Sequence, residues 1–254
     1  MGVSLCIFFT PRRGSFMRLS VSGAMQGASS LGVFLGKLVR GVVFGAASPF
    51  FDRVCVACGA HAEDLPICKR CADGISFLKG ELNIYNKRHY RRLFSAVSYD
   101  GPVPALIKGI KYSKRRDAEL LLDLLIRDEL LANFSEIDAV VAVPSDPFRF
   151  FMRGYNPAGV IASHVAKRLR KPLLMRAVTK RRTPPQVGLS LAKRKENVRG
   201  AFYRPYLFPN DVEGRHILLV DDVETSGATL DNCAMVLKRS GAGVVDALTL
   251  ARAL

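Results

Sequence analysis

The pattern of hydrophobic and polar positions predicts buried strands that alternate with helices in the second half of the chain. Residues 217–220 are four consecutive apolar residues, and residues 139–144 (AVVAVP) form a second apolar run that Pro144 closes. Such short runs fit strands that are buried on both faces. Apolar positions from Leu230 onward follow helical spacing up to a stop at Gly241. This alternation predicts an α/β fold with a parallel sheet and flanking helices.

Further helix and loop signals lie between these strands. Residues 117–131 are a strongly apolar helical stretch, and residues 100–102 form a turn that precedes a basic helix or loop. Asn156 and Pro157 suit an N-cap and a first helical position, so a helix is predicted from there to about Arg170. Residues 180–202 are too rich in proline and lysine for a core element. They predict a mobile basic flap that closes over a ligand and excludes water.

The segment between the strand at 217–220 and the last helix carries the clearest chemistry. Asp221 and Asp222 end the strand, and a small, hydroxyl-rich loop follows. The loop would lie at the helix N-terminus, where unpaired N–H groups and the positive dipole end favour a phosphate. Carboxylates beside it suit hydroxyls or a metal, and a pentose phosphate offers hydroxyls close to its phosphate. The predicted phosphate loop is Thr225, Ser226, Gly227, Ala228 and Thr229.

This segment, VDDVETSGAT, resembles the phosphoribosyl-pyrophosphate (PRPP) motif of type I phosphoribosyltransferases. The resemblance implies that Asp221 and Asp222 are catalytic residues that hold the ribose hydroxyls, and that the loop holds the 5′-phosphate of Mg²⁺-bound PRPP. Ser226 stands where a second threonine is usual, and both side chains supply a hydroxyl. A buried strand that ends in acids and a small-residue turn also occurs in other α/β proteins.

Composition adds a strong positive charge to this picture. The chain has 254 residues, of which 49% are hydrophobic, enough for one good-sized domain and a small extra module. Lysine and arginine number 38 against 22 acids, a net charge of +16. This surplus favours polyanions, with nucleic acid first and diphosphates second, although a generally basic surface is the alternative. No clean run of eighteen apolar residues occurs, so no membrane span is predicted. Basic clusters lie at 87–92, 111–116, 168–171, 180–182 and 193–195.

Four cysteines before the α/β region have the spacing of a metal site. Cys55 and Cys58 form one C-x2-C pair, and Cys68 and Cys71 form another nine residues later. Two such pairs complete a tetrahedral thiolate site, for which zinc is the best-fitting ion, with disulfides as the alternative. Because four protein ligands leave no position for water, the zinc is predicted to be structural.

The first fifty residues differ from the rest, being rich in glycine, serine, alanine and phenylalanine. Residues 1–30 are predicted to be poorly ordered or a mis-assigned extension, since Met17 and Met25 are alternative starts. Residues 31–50 are predicted to form an apolar or amphipathic arm.

Three segments after the cysteine quartet together resemble the ComF family of competence-associated proteins. They are VPSDPFRFFMRGYNPA, RTPPQVGLS with the downstream NVRGAF, and LLVDDVETSGATL. The resemblance implies a zinc module at about 51–80 and a phosphoribosyltransferase-like domain at 90–254. Many relatives carry another cysteine pair between the two, and NIYNKRHY at 83–90 has none, so the module is the short version.

Two basic segments extend the predicted site beyond the phosphate loop. In type I phosphoribosyltransferases a loop after an early strand grips the pyrophosphate, and the loop at 145–155 resembles it through Arg149, Arg153 and Gly154. The residues predicted to contact diphosphate or DNA from the flap are Lys180, Arg181, Arg182, Gln186 and Arg199.

Two functions remain open from the sequence. The family resemblance implies a cytoplasmic protein that handles single-stranded DNA in natural transformation, with a competence helicase or a recombination mediator as possible partners. The alternative is an active phosphoribosyltransferase (a pentosyl transferase) of nucleotide salvage or metabolism, whose acceptor the sequence does not reveal. Phe148, Phe150 and Phe151 lie among basic residues and could stack on bases or simply pack.

Overall fold

The structure is a computed structural model that describes residues 53–63, 65–81, 88–112, 115–181, 200–206 and 211–253. The predictions for residues 1–30 and 31–50 lie outside these residues. In chain order the elements are β1 Arg53–Val54, β2 His61–Ala62, α1 Lys69–Asp73, β3 Leu93–Ser98, α2 Val103–Tyr112, α3 Arg115–Leu125, α4 Asp128–Leu131, a 3-10 turn Ala132–Phe134, β4 Ala139–Ala142, α5 Pro147–Arg153, α6 Pro157–Leu169, β5 Thr179–Lys180, β6 Phe202–Tyr203, β7 His216–Glu224, α7 Ala228–Arg239 and β8 Val244–Arg252.

A four-stranded parallel sheet forms the centre of the protein. Its strand order is β3-β8-β7-β4, and each neighbouring pair is parallel. Because all four strands point the same way, their carboxyl ends meet at one edge of the sheet and their amino ends at the other. Helices connect parallel strands over the faces of a sheet, which explains why β3 and β4 are buried along their whole length. The predicted α/β fold class is confirmed.

The strands and the last helix follow the sequence pattern closely. β4 and β7 contain the two apolar runs, and α7 ends at Arg239, two residues before Gly241, whose φ is +93°. Cys233 is fully buried on the apolar side of α7. β3 and β8, which pair with each other, are strands that the pattern analysis did not identify.

The predicted helix over 117–131 is wrong in one respect, since the structure breaks it into α3 and α4. Arg127 between them has an extended backbone, with φ −78° and ψ 157°. Its guanidinium carbon lies 3.5 Å from the centroid of the Phe77 ring, and Arg168 donates a hydrogen bond to the Ile126 carbonyl. These contacts from other parts of the chain end the helix where the local pattern would continue it.

The cysteine module packs directly against the sheet and its first helix. Residues 76–78 run antiparallel to β3, with hydrogen bonds from Leu78 N to Ala96 O at 3.1 Å and from Ser98 N to Ser76 O at 2.8 Å. Val56 lies against Gly109 of α2, where a β-carbon would approach its Cγ1 to 2.1 Å. The module therefore shares a hydrophobic core with β3 and α2.

Candidate functional site

The two aspartates of β7 lie at the carboxyl edge of the sheet. Ala142, the last residue of β4, pairs with Val220, so the β4 ladder stops one residue before Asp221. Asp221 itself pairs with Thr249 of β8, and both aspartates are half-buried. The Asp222 N–H donates to Asp221 Oδ1 at 2.9 Å, and the Val223 N–H donates to Asp222 Oδ1 at 2.8 Å. The backbone thus fixes both carboxylates beside the open end of β4.

The predicted phosphate loop spans the start of α7, since Ala228 and Thr229 are the first two residues of the helix. Gly227 is buried with φ +68°, a left-handed conformation that glycine adopts without strain, and α7 begins at the next residue. The first helical hydrogen bond runs from Asp231 N to Gly227 O at 2.9 Å. Backbone N–H groups before that point have no intrahelical partner and carry the positive end of the helix dipole. This arrangement can bind a phosphate next to the two aspartates.

A cluster of charged and aromatic side chains lies against the predicted phosphate loop. The Arg88 guanidinium donates to the Ser226 carbonyl at 3.0 Å. A β-carbon on Gly227 would lie 3.0 Å from Tyr90 Oη and 3.4 Å from Glu224 Oε1, so a larger residue there would push against these side chains. Arg252 Nε pairs with Glu224 Oε2 at 3.0 Å. Burial raises the pKa of the Glu224 carboxyl, while the Arg252 and Arg88 cations oppose that rise.

The segment 88–90 also binds the first turn of α7. The His89 N–H donates to Asp231 Oδ1 at 2.8 Å, and His89 Nδ1 lies 3.1 Å from the same oxygen. Arg88 and Ser226 are 138 positions apart in the chain. Sequence reasoning assigned this segment only to a basic cluster and missed its structural role, because nothing local indicates so distant a partner.

The basic residues Arg91 and Arg92 occupy the opposite edge of the sheet. Both donate to the fully buried Asp246 carboxylate, at 2.8 and 2.7 Å, and His216 Nε2 lies 2.9 Å from it. Burial works to raise the pKa of Asp246, but these hydrogen bonds and charges hold it well below its ordinary range. Arg88, Arg91 and Arg92 are therefore paired with carboxylates or carbonyls of the protein itself, which weakens the interpretation of this cluster as a surface that binds polyanions.

The segment that leaves β4 reaches the same edge as the aspartates. The Val143 N–H donates to the Val220 carbonyl at 2.9 Å. Asn156 Nδ2 donates to the Val143 carbonyl at 2.8 Å, and the Ser145 hydroxyl donates to Asn156 Oδ1 at 2.6 Å. Asn156 is the N-cap residue of α6 as predicted, but its side chain holds the exit of β4 and does not cap the helix.

Residues 145–155, predicted as a loop, contain the short helix α5. Asp146 caps it through hydrogen bonds from the backbone N–H groups of Phe148 and Arg149, and Gly154 ends it with φ +76°. The predicted pyrophosphate residues Arg149 and Arg153 are both exposed on this helix. Capping by Asp146, with Pro147 at the first position, is the local signal that favours a helix over a loop.

The base of the predicted flap is a two-stranded antiparallel ribbon of β5 and β6. Lys180 Nζ lies 5.4 Å from the centroid of the Phe202 ring, and the Arg181 guanidinium carbon lies 5.1 Å from that of Tyr203. The other predicted flap residues lie outside the described part of the chain: Arg182, Gln186 and Arg199.

The four cysteines come together as the spacing predicts. Their sulfur atoms all lie within 4.8 Å of one another, and Cys58 Sγ is 3.7 Å from Cys68 Sγ. A tetrahedral Zn²⁺ site with Zn–S bonds of about 2.3 Å requires sulfurs about 3.8 Å apart. A hydrogen bond from the Ala60 backbone, aided by the neighbouring thiols, lowers the pKa of Cys58 to about 6. The cluster fits a metal ion and could hold structural zinc.

Among the described residues, no helix combines the length and apolar character needed to cross a bilayer.

Comparison with known proteins gives consistent matches. A family model described as the phosphoribosyl transferase domain matches residues 156–254. The chain is 30% identical over 212 residues to the DNA utilization protein YhgH of Escherichia coli K12, covering 79% of this chain and 91% of that protein. It is 27% identical over 208 residues to Competence protein F of Haemophilus influenzae, covering 79% and 90%. The chain also aligns with a solved orotate phosphoribosyltransferase from Aeropyrum pernix, at 20% identity and a TM-score of 0.33. The alignment covers 72% of this chain and 78% of the other.

Proposed function

Since this chain belongs to the ComF family of competence-associated proteins with a phosphoribosyltransferase domain, we propose that it binds PRPP or a similar ribose phosphate and handles single-stranded DNA. The proposal of PRPP binding rests on one observation: two carboxylates and the N-terminus of a helix lie together at the end of β7. The two parts of this site suit different groups of one ligand. The N–H groups bind phosphate oxygens, and the carboxylates accept hydrogen bonds from hydroxyls.

The 5′-phosphate is proposed to bind the loop from Thr225 to Thr229. Gly227 allows the chain to approach the ligand without a side chain, and the hydroxyls of Ser226 and Thr229 add donors that the backbone lacks. Arg88 and Tyr90 hold the loop in place before the ligand arrives, so little conformational entropy is lost on binding.

The ribose hydroxyls are proposed to donate hydrogen bonds to Asp221 and Asp222. Hydrogen bonds to charged acceptors are the stronger kind, and the backbone N–H groups of Asp222 and Val223 keep both carboxylates oriented. Carboxylate oxygens are also the ligands that Mg²⁺ prefers, so the same two residues would hold the ion that accompanies PRPP. When bound, Mg²⁺ neutralises part of the diphosphate charge.

The pyrophosphate is proposed to contact Arg149, Arg153 and Gly154, with the flap closing from the other side. Support comes from the exit of β4, which runs beside β7 through the bond from Val143 to Val220. Flap contacts to the diphosphate or to DNA are proposed for Lys180, Arg181, Arg182, Gln186 and Arg199.

The ligand proposal is tested by titration calorimetry with Mg²⁺-PRPP. The Asp221→Asn/Asp222→Asn variant keeps the shape of the site but loses both charges, so its affinity should fall at least about 100-fold. Asp211→Asn removes an exposed aspartate elsewhere and serves as the matched control. If the double variant binds PRPP as tightly as the wild type, the pocket assignment is wrong.

The DNA proposal rests on the charge of +16 and on relatives named for competence and DNA utilization. Phosphate contacts release counterions, so affinity for a single-stranded oligonucleotide should fall with salt at a slope of about −0.7 per contact. A salt-independent affinity, or no binding, would remove this half of the proposal. A competence helicase or a recombination mediator is the proposed kind of protein partner.

The metal is proposed to be one structural Zn²⁺ on Cys55, Cys58, Cys68 and Cys71, and the proposed location is the cytoplasm, where thiols stay reduced. Because the module shares a core with β3, removing zinc should destabilise the sheet as well. Elemental analysis should give about one zinc per chain, and a metal-free protein of unchanged thermal stability would contradict the assignment.

Phosphoribosyl transfer is the second candidate, favoured by the acid pair beside the phosphate loop. In that reaction the anomeric C–O bond breaks, pyrophosphate leaves with the bonding electrons, and an acceptor nucleophile forms the new bond and loses its proton. Release of pyrophosphate with a panel of bases and nucleotides tests it. Turnover by the wild type that is lost in the Asp221→Asn/Asp222→Asn variant would establish the enzyme. If the wild type binds PRPP but turns over none of the acceptors, a sensing role is supported.

A further inference from the structure

Helix α5 exposes large apolar side chains that proteins usually bury. Phe151 is 83% exposed, Met152 67% and Phe150 49%. Phe148, which is 55% exposed, lies three and four positions before Phe151 and Met152, so these side chains share one face of the helix and form an apolar patch, while Phe150 turns toward a neighbouring groove. A contiguous patch of this kind indicates a binding surface, whereas single exposed apolar residues do not.

The patch continues into a groove of about 540 Å³ between α5, α6 and the helices α2 and α3. Phe150 lines one side of the groove, and Met175, which is 57% exposed, lines another. Val160 of α6 and Leu122 of α3 form part of its apolar lining. The groove gives a flat ring an apolar surface next to the exposed phenylalanines.

Cations of α5 and α6 lie next to this apolar surface, and Glu119 also lines the groove. Arg149 and Arg153 are four positions apart on α5 and therefore lie on one face of the helix, and both are exposed. Lys167 of α6 lines the groove. All three are exposed, so their charge can reach an anionic ligand.

Aromatic rings next to exposed cations match the chemistry of a single-stranded nucleic acid, whose bases stack on aromatic side chains and whose phosphates need positive charge. A protein interface is also enriched in aromatic residues, methionine and arginine, but the net charge of +16 favours a polyanion over a protein. We infer that α5 and its groove form a base-stacking platform for single-stranded nucleic acid, with Phe150 and Phe151 as the stacking rings. This inference rests on the proposed DNA handling and assigns it a surface. A helix of this length, about 10 Å, spans about two or three nucleotides.

The rings, and not the arginines, distinguish a strand from the proposed diphosphate. Arg149 and Arg153 would meet the same chemistry in a strand phosphate as in pyrophosphate. A base contributes an aromatic face, which pyrophosphate lacks. The test therefore changes only uncharged aromatic positions.

The chain contains no tryptophan, so Phe151→Trp introduces a single fluorescent reporter at the platform. Its emission should be quenched by an oligothymidylate, in proportion to binding, and not by an abasic oligomer with the same phosphates. Tyr206→Trp is the matched control, because Tyr206 is 99% exposed and lies neither on α5 nor in the lining of its groove. Its emission should not respond to either oligomer.

Affinity measurements separate stacking from general apolar contact. The Phe150→Ala/Phe151→Ala variant should bind the oligothymidylate at least about tenfold more weakly, with an unchanged salt slope, since no charge is removed. Phe151→Tyr should retain affinity, and Phe151→Leu should lose most of it. Tyr206→Ala should bind as the wild type does.

The outcomes distinguish this inference from the proposed function. If the wild type binds the oligothymidylate and the double alanine variant binds equally well, the platform is refuted and DNA handling stands. If Phe151→Leu binds as well as Phe151→Tyr, the surface is an apolar docking site for a protein, which also overturns the inference. If the wild type binds no oligonucleotide at any salt concentration, the proposed DNA handling fails, and the platform fails with it.

Discussion

Aspartates at the two edges of the central sheet differ in burial and in their hydrogen-bond partners. At the amino edge, Asp246 is fully buried and paired with Arg91, Arg92 and His216. At the carboxyl edge, Asp221 and Asp222 are half-buried, and each accepts a hydrogen bond from the backbone N–H of the next residue. The first carboxylate holds together strands that are far apart in sequence. The other two are oriented but still reachable, as carboxylates that bind a ligand need to be.

The difference shows that charge alone does not identify a binding surface. The cluster at 87–92 reads in sequence as a nucleic-acid contact, yet Arg91 and Arg92 lie at the amino edge on a buried carboxylate, and Arg88 supports the phosphate loop. The cations of α5, in contrast, are exposed. Stability is thus assigned to the amino edge and ligand binding to the carboxyl edge.

The largest expected effect of this division is on folding stability. Asp246→Asn removes a buried charge that accepts bonds from two guanidinium groups, so it should lower the free energy of unfolding by about 3 kcal/mol. Denaturation in urea measures this. Asp221→Asn/Asp222→Asn should change stability by less than about 1 kcal/mol. If both variants lose the same free energy of unfolding, the assignment of stability to the amino edge is wrong.

The pH dependence of stability gives a second, smaller test of the same residue. The pKa of Asp246 is lowered in the folded protein, so between that pKa and the ordinary aspartate value, near 3.9, the unfolded chain binds more protons than the folded one. Its stabilising contribution is present above about pH 4 and is lost as the pH falls below that value. Urea midpoints measured from pH 6 to pH 3 should fall more steeply for the wild type than for Asp246→Asn. Parallel curves would contradict the assignment.

Two glycines with similar backbone geometry sharpen the comparison within the carboxyl edge. Gly227 and Gly154 have φ of +68° and +76°, so alanine is strained at both. At Gly227 its β-carbon would also lie 3.0 Å from Tyr90 Oη, whereas at Gly154 no atom lies within 4 Å. PRPP affinity measured by calorimetry should fall at least about tenfold for Gly227→Ala and by less than that for Gly154→Ala. The opposite order would show that the phosphate site lies on the α5 side.

The smallest expected effect concerns the flap. Replacing Lys180, Arg181 and Arg182 by alanine should make the salt slope of oligonucleotide binding shallower by about 2 units if each contacts a phosphate. Arg239→Ala removes an exposed cation at the end of α7 and should leave the slope unchanged. A triple variant with the wild-type slope would exclude the flap from the DNA contact.

The features that the sequence predicts well are local ones. The cysteine quartet, the strand at 217–220 and the turn that leads into α7 depend on residues close together in the chain, where spacing and periodicity carry the information. The same holds for α6, whose start at Asn156–Pro157 is read directly. Local signals therefore located the candidate site before its surroundings were known.

The features that the sequence did not reveal depend on distant partners. Arg88 supports a loop 138 positions away, and Arg127 ends a helix because it stacks on Phe77. The exposure of Phe150 and Phe151 was also open, since rings in a basic segment pack or protrude according to the tertiary fold. β8 went unidentified although it lies between β3 and β7 at the middle of the sheet. A local sequence pattern specifies neither which strands pair nor which side chains stay exposed.

The central claim is that the carboxyl end of β7 binds a ribose phosphate. Crystals of the protein grown with PRPP and Mg²⁺ test it most directly. The account predicts density for a phosphate at the N–H groups before α7, with the ribose hydroxyls against Asp221 and Asp222. PRPP density at any other surface, with the end of β7 free of ligand, would contradict it.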